Sequence, residues 1–269
     1  MRRHNSAAVL SGGACLLALC CVALAVSAQD PPAHAQRAGR ATHRAPSLHP
    51  HVSSQPLPNG RTYRLHTFRV SLAEVRLEVV DVRMSRALDD VLRTRGASLV
   101  INGGFFGMRG EPQGMVVSRG QLLSPVSARL GGGIVTTKEG VAHLHATETP
   151  PALADADFAM QCRPRLVVDG SVNIRTDDGN RADRTALCLR DGGRTLEVVV
   201  ARTDDPLGRG GPTLFRFARA LLRRGCEQAL NLDGGPSTGA AWRDGNQVRF
   251  LSPRGPVRHA VAIWLNPAP

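Results

Sequence analysis

Two stretches of this 269-residue chain place a polar side chain directly before paired glycines. Asn102-Gly103-Gly104 lies within "INGGFF", and Asp233-Gly234-Gly235 lies within "LNLDGGPST". Each follows a short, mostly apolar run of the kind that forms a buried strand. Asp-Gly and Gly-Gly both suit tight turns. Asp233 alone reads equally well as an Asx-turn residue, and Asn102 as a turn residue that tolerates the left-handed region. Two such strand ends in one chain suggest more: a cleft with a polar floor, where side-chain-free backbone approaches a sugar or a phosphate oxygen.

The elements that must carry these tips follow from hydrophobic period. Tyr63 to Val70 and Val75 to Val82 read as strands, and Ser85 to Arg95 as a helix capped by Ser85 and stopped by Gly96. Ala97 to Ile101 is the strand that leads into "NGGFFG". Strands follow at Gly114 to Ser118, Gly133 to Thr137 and Val141 to His145, and a weak helix is predicted over Ala152 to Phe158. Asp169-Gly170 and Asp191-Gly192-Gly193 each separate two strand-like runs, as hairpin turns do. The clearest helix begins near Pro212, with Leu214, Phe217, Ala218, Leu221 and Leu222 on one face, and Gly225 ends it. The strand carrying "LNLD" comes next, and strands at Gly239 to Trp242, Val248 to Leu251 and Val257 to Leu265 finish the chain. Strands and helices in this mixed order predict an α+β fold: a single domain with a mixed, mostly antiparallel sheet and two or three helices.

The amino terminus stands apart. Arg2 and Arg3 precede an uncharged stretch from Ala7 to Ala28 that ends in Val26-Ser27-Ala28, the pattern of a cleaved secretory signal. An uncleaved membrane anchor is the minority reading. Residues 29–58 hold Pro31, Pro32, Pro46, Pro50, Pro56 and Pro58 without apolar period, so a disordered linker is expected there, with the folded domain over 59–269. The expected location is exported, periplasmic or secreted, with no stable membrane span after cleavage. Formal charge is +12, and removing Arg2 and Arg3 leaves +10. Lys138 is the sole lysine, the arginines are scattered, and aromatic–basic interleaving is absent. That weighs against nucleic acid and leaves a phosphate-bearing or anionic glycan as partner. Past the signal, Cys162, Cys188 and Cys226 remain, so one internal bridge at most can form. Cys162 and Cys188 fall in neighbouring strands and are the expected pair; three free thiols is the alternative.

"INGGFF" (residues 101–106), "RTALCL" (184–189) and "GPTLFRFARALLRRGC" running into "ALNLDGGPST" (211–238) together resemble the phosphodiester glycosidase family. "EPQGMVVSRGQLL" (111–123) and "RPRLVVDG" (163–170) fit its intervening segments. The resemblance runs from about residue 60 to 266. Gly107 and Pro236 depart from the family's usual polar residue and third glycine. The resemblance implies an exported hydrolase that cleaves the bond between a sugar's anomeric carbon and a phosphodiester oxygen, with a phosphate-linked surface glycan as a natural target.

The residues can be tested against that chemistry. A departing phosphate monoester, with a second pKa of about 6, is a better leaving group than a sugar alkoxide. One carboxylate to stabilise the oxocarbenium-like centre or activate water, plus a cation for the leaving group, then suffices. Asp233 is the candidate carboxylate and Arg184 the cation, whose planar fork suits phosphate. Asn102 and the backbone of Gly103, Gly104, Gly234 and Gly235 are candidate substrate contacts, with Ser237 and Thr238 lining the wall. Arg184 also reads as a surface charge beside Asp183, a pair worth little. Asp177, Asp178 and Asn180 lack the spacing of a calcium loop, so no cofactor is required and a divalent cation such as calcium stays open without an assigned site. His66, His143, His145 and His259 read as strand residues rather than ligands. Two rivals remain: a non-catalytic glycan-binding or polysaccharide-assembly factor with the same cleft, and a basic envelope protein that binds anionic polymers by charge alone.

Overall fold

The structure is a computed structural model that describes residues 48–58 and 60–266. The expected signal and most of the expected linker lie outside the described residues. Strands dominate. Seventeen of them form three sheets of seven, five and five, and every pairing is antiparallel. The described residues hold two α-helices, α1 (Leu88–Arg95) and α2 (Leu214–Arg223). The α+β expectation is therefore corrected to a sheet-dominated fold. Helices of eight and ten residues cover sheet faces but do not form a layer of their own.

Three strands escaped the periodicity reading, each for a physical reason. His51–Pro56 is polar and exposed, and pairs in register with Thr62–Ser71 at the edge of the large sheet. Its one proline, Pro56, suits an edge, where a missing N–H costs no ladder bond. The end of the expected linker is thus built into the fold, and Leu48 and Leu57 on either side of the strand are buried. Gln121–Ser124 is an exposed edge strand in the third sheet. Phe158–Cys162 stands between two partners in the same sheet with all five residues buried, so no alternation marks it. The helix expected over 152–158 shrinks to a single turn, Leu153–Asp155.

Alternation elsewhere decides which face packs where. In strand Arg184–Arg190, Leu187 and Leu189 enter the central core among Phe68, Ile101, Met160 and Leu230, while Ala186 and Cys188 face Phe217 and Leu221 of α2. In strand Leu99–Asn102, Leu99 and Ile101 join the same central core and Val100 faces Leu88 and Leu92 of α1. The central core thus draws on all three sheets, and each helix closes the outer face of one sheet.

The helix boundaries shift by a few residues. Ala87 rather than Ser85 is the α1 cap, and the Ser85 hydroxyl accepts the Ala87 N–H at 3.0 Å. The α2 cap is Thr213, whose hydroxyl accepts the Arg216 N–H at 3.3 Å, so Pro212 lies outside the first turn.

The cysteine pairing is also corrected. Cys188 bonds Cys226, and Cys162 is a buried free thiol. Neighbouring strands do not suffice for a bridge: Cys188 points to the α2 side, whereas Cys162 points into the central core. Cys226 follows α2, so the bridge ties the helix exit to the sheet beneath it. Among the described residues, no helix is long and apolar enough to cross a membrane.

Candidate active site

The two glycine-paired tips come from different sheets and meet. Strand Leu99–Asn102 belongs to a five-stranded sheet, and strand Gln228–Asn231 to the seven-stranded sheet. The Asp233 N–H donates to the Gly103 carbonyl at 3.2 Å, and Asn102 Nδ2 donates to the Asp233 carbonyl at 2.8 Å. The expected convergence of "INGG" and "LDGG" is present.

The roles within it are divided differently. Asn102 is fully buried. Its Oδ1 accepts from the Thr185 hydroxyl at 2.7 Å and from the Gly239 N–H at 3.2 Å; Nδ2 also reaches the Gly103 carbonyl at 3.2 Å. All four of its hydrogen-bonding positions are occupied by protein. The Gly103 N–H donates to the His259 carbonyl at 2.9 Å, and the Gly104 N–H to His259 Nε2 at 3.2 Å. Asn102, Gly103 and Gly104 therefore hold the two tips together instead of presenting donors to a ligand. Gly103 is required by packing: a Cβ there would lie 2.5 Å from His259 Cδ2.

Asp233 is different. Its carboxylate is partly exposed, accepts the Gly234 N–H at 2.9 Å and is hydrogen-bonded by the Ser237 hydroxyl. Burial pushes its carboxyl above the usual range, while those two donors pull it back. Gly235, at φ +57°, gives its N–H to the Asp183 carbonyl at 2.7 Å. A Cβ there would meet nothing, so this glycine serves the left-handed turn and not a close approach. Thr238 is fully buried, and its Oγ1 has no partner.

Arg184 lies beside this loop. Its Nε donates to the Pro212 carbonyl at 3.3 Å and Nη2 to the Asn180 carbonyl at 3.0 Å. Nη1 is the nitrogen nearest Gly234, 3.8 Å from where its Cβ would stand. Two carbonyls thus hold the guanidinium, and one nitrogen remains for an anion next to the Asp233 turn. It is not the exposed partner of Asp183.

Asp183 itself was misjudged by sequence reasoning. Its side chain is fully buried. Oδ1 accepts from the Thr203 N–H at 3.0 Å and the Thr203 hydroxyl at 2.8 Å; Oδ2 pairs with Arg254 Nη1 and lies 3.6 Å from Arg202 Nε. Burial raises its carboxyl, opposed by Thr203, Arg254 and Arg202 in that order. Arg254 Nη2 reaches the Thr203 carbonyl at 2.6 Å, Arg202 Nη1 reaches the Thr238 carbonyl, and the Arg254 N–H reaches the Pro236 carbonyl at 2.8 Å. Asp183 and these two arginines therefore support the "DGGPST" loop from below. Nothing in "RADRTALCL" marks Asp183 as buried; only its place at the mouth of a central strand does.

Asp177 and Asp178 are otherwise engaged. Asp177 pairs with Arg216 at 3.0 Å, and Asp178 accepts from Asn180 N and Nδ2 at 3.0 and 2.8 Å. Among the described residues, no group of three or more His, Cys, Asp or Glu is placed to hold a metal ion.

Among curated proteins, none matches the chain by sequence. Its fold is similar to a hypothetical protein from Synechocystis, with a TM-score of 0.61 at 17% identity, covering 80% of this chain and 61% of that one. It is equally similar to the catalytic domain of zebrafish N-acetylglucosamine-1-phosphodiester α-N-acetylglucosaminidase, auto-inhibited by its pro-peptide: TM-score 0.61, 18% identity, 83% of this chain and 85% of that one. A putative exported protein from Burkholderia pseudomallei is similar at a TM-score of 0.53 and 14% identity, over 77% of this chain and 75% of that one. The phosphodiester glycosidase family profile matches residues 95–264, which take in both glycine-paired tips, Arg184 and the supporting Asp183, and the chain belongs to that family.

Proposed function

We propose that this protein hydrolyses the bond between a sugar's anomeric carbon and a phosphodiester oxygen, and that Asp233 and Arg184 carry the reaction. The observation that supports this most is their placement on one loop: Asp233 carries a half-buried carboxylate, and the Arg184 guanidinium, held by two carbonyls with Nη1 unclaimed, packs against Gly234, the residue that follows it. The ionised Asp233 stabilises positive charge at the anomeric carbon or takes a proton from the attacking water. Arg184 receives the negative charge that develops on the departing phosphate. Asn102, Gly103, Gly104 and His259 are positioning residues that fix the Asp233 turn. Asp183, Arg202 and Arg254 do the same from the other side.

The setting of the reaction is an oxidising compartment outside the cytoplasm. The Ala7 to Ala28 stretch supports this through its signal-like pattern, and the Cys188–Cys226 bridge through its redox requirement. The zebrafish enzyme's name supports a sugar-1-phosphodiester as substrate, and the positive charge of the chain supports an anionic glycan as its source.

The test compares Asp233→Asn and Arg184→Lys on a glycosyl phosphodiester and on an aryl glycoside of the same sugar. Asp233→Asn should lower turnover by about 10²-fold or more, as expected for loss of one preorganised electrostatic group. Arg184→Lys should weaken the phosphodiester more than the aryl glycoside, because only the former offers phosphate to the fork. Near-normal turnover by Asp233→Asn, or no turnover by the unaltered protein on a panel of sugar-1-phosphodiesters, would count against hydrolysis and favour a glycan-binding role.

A further inference from the structure

A second cationic site adjoins this one. A cavity of about 720 Å³ opens beside Arg163, and its lining includes Gln113, Ser124, Ser127, Arg129 and Arg163. That volume is in the range of small-molecule sites. Asp233 and Arg184 do not line it, and no acidic side chain does. Many arginines of this protein are neutralised, as Arg202, Arg254, Arg190 and Arg224 are by buried carboxylates. Arg129 and Arg163 have no ion pair and no side-chain hydrogen bond among the described residues, and both are exposed to the cavity's solvent.

The wall is preformed. Buried Gln161 behind it accepts the Met115 and Ser127 N–H groups, each at 2.9 Å, on Oε1. Its Nε2 donates to the carbonyls of Ser127 at 2.8 Å and Gly131 at 3.2 Å, and to the Thr147 hydroxyl at 3.3 Å. The wall is also joined to the candidate active site at two points. The Gln113 N–H donates to the Phe105 carbonyl at 2.8 Å, immediately after Gly103-Gly104. Asn231 Nδ2 donates to the Arg163 carbonyl at 2.9 Å, two residues before Asp233. Cys162, which precedes Arg163, is fully buried, and burial pushes its thiol up to about 12, with the Asp233 charge adding to the rise. Hydrogen bonds thus tie this cavity's wall to both strand ends that carry the candidate site.

We propose that the cavity is a second anion subsite, which binds a phosphate on the aglycone beyond the scissile phosphodiester. Two unpaired guanidinium groups with Ser and Gln donors, and no carboxylate, favour a phosphate over a neutral sugar. The substrate class that meets both sites is a glycan with repeated phosphate linkages, or a sugar phosphodiester whose aglycone ends in a phosphate monoester. This inference rests on the hydrolase reading above, and the test separates the two.

The kinetic arm uses two phosphodiesters of one sugar, with a neutral aglycone and with an aglycone ending in a second phosphate. The second should show about tenfold higher kcat/KM at low salt, an advantage that shrinks as ionic strength rises. Arg129→Gln combined with Arg163→Gln should bring the ratio to about one and leave the neutral-aglycone substrate unchanged. A ratio near one in the unaltered protein, or an unchanged ratio in the double variant, overturns the proposal. The binding arm does not need turnover: glucose 6-phosphate and glucose are titrated calorimetrically into Asp233→Asn protein with and without the two arginine changes. Binding of glucose 6-phosphate but not glucose, lost in the arginine variant, supports the subsite even if the unaltered protein hydrolyses neither substrate. Equal heats with and without the arginines overturn it.

Discussion

Replacing Asn102 with alanine separates a residue that holds the site from one that touches substrate. The Asn102 side chain is fully buried and makes four hydrogen bonds, to Thr185, Gly239, Gly103 and Asp233. Two of the four partners recover. The Thr185 hydroxyl can rotate to another acceptor, and the Gly103 carbonyl keeps the Asp233 N–H. The Gly239 N–H and the Asp233 carbonyl are left without a partner. Each stranded buried group costs about 1–3 kcal/mol, and the missing volume adds to that, so a loss of about 3–5 kcal/mol is expected. Asn102→Asp should be no better, since a carboxylate would then face two carbonyl oxygens. Urea unfolding followed by the fluorescence of Trp242, which is buried in the central core, reads the loss directly. With a slope of about 3 kcal/mol per molar urea, the midpoint should fall by about 1 M or more. Loss of less than about 1 kcal/mol together with a raised KM would refute the reasoning and return Asn102 to the substrate-binding role that the sequence suggested.

Other perturbations have equally definite outcomes. Alkylation of the unfolded chain from residue 48 onward should modify one cysteine without reductant and three with it; three without reductant would contradict the Cys188–Cys226 bridge. Reduction should cost about 4 kcal/mol by loop entropy, given a sequence separation of 38. A chain that starts at Gly60 should melt about 10 °C below one that starts at Leu48, because it loses an edge strand and two buried leucines; equal melting temperatures would show that His51–Pro56 contributes nothing. His66 and His259 are both lowered from 6.5 to about 4, chiefly by burial and then by Arg64 and Arg202 for His66 and Arg258 for His259. The unfolded chain therefore binds more protons, so the stability from these neutral rings is present above pH 6.5 and is lost as pH falls towards 4, at up to about 3 kcal/mol each. The raised carboxyls of Asp183 and Asp233 act in the opposite sense. Melting temperature should fall between pH 7 and 5, and the fall should shrink in His66→Gln; a flat profile would contradict the burial argument.

Much of the sheet was legible because half-covered strands alternate. Val75–Ser85 alternates apolar and polar residues over most of its length, whereas Arg184–Arg190 and Thr195–Arg202, apolar on both faces, were legible only because an Asp-Gly-Gly turn joins them. What failed to show was structure whose cause lies elsewhere in the chain. His51–Pro56 is polar because both its faces are largely exposed, and only its pairing with Thr62–Ser71 makes it a strand. Phe158–Cys162 is uniformly buried, and uniform burial removes the period that a local reading needs.

The same distinction explains the site. Paired glycines announced two turns, and the turns do meet. Their individual jobs depend on what stands opposite, which no window of the sequence contains. Gly103 is glycine because His259, more than 150 residues later, occupies the space of a Cβ. Gly235 is glycine because of its own φ of +57°. Asn102 and Asp233 occupy matching positions before their glycines, yet one is surrounded by protein partners and the other keeps a partly exposed carboxylate. The asymmetry has a physical source. A neutral amide can donate and accept at once, so it can join strand ends inside a protein at little cost. A carboxylate only accepts and resists burial without cations, so at the same junction Asp233 keeps partial access to solvent, whereas Asp183 is buried against Arg202 and Arg254. The choice of Asn on one tip and Asp on the other therefore tracks which tip is closed by protein partners and which keeps access to solvent.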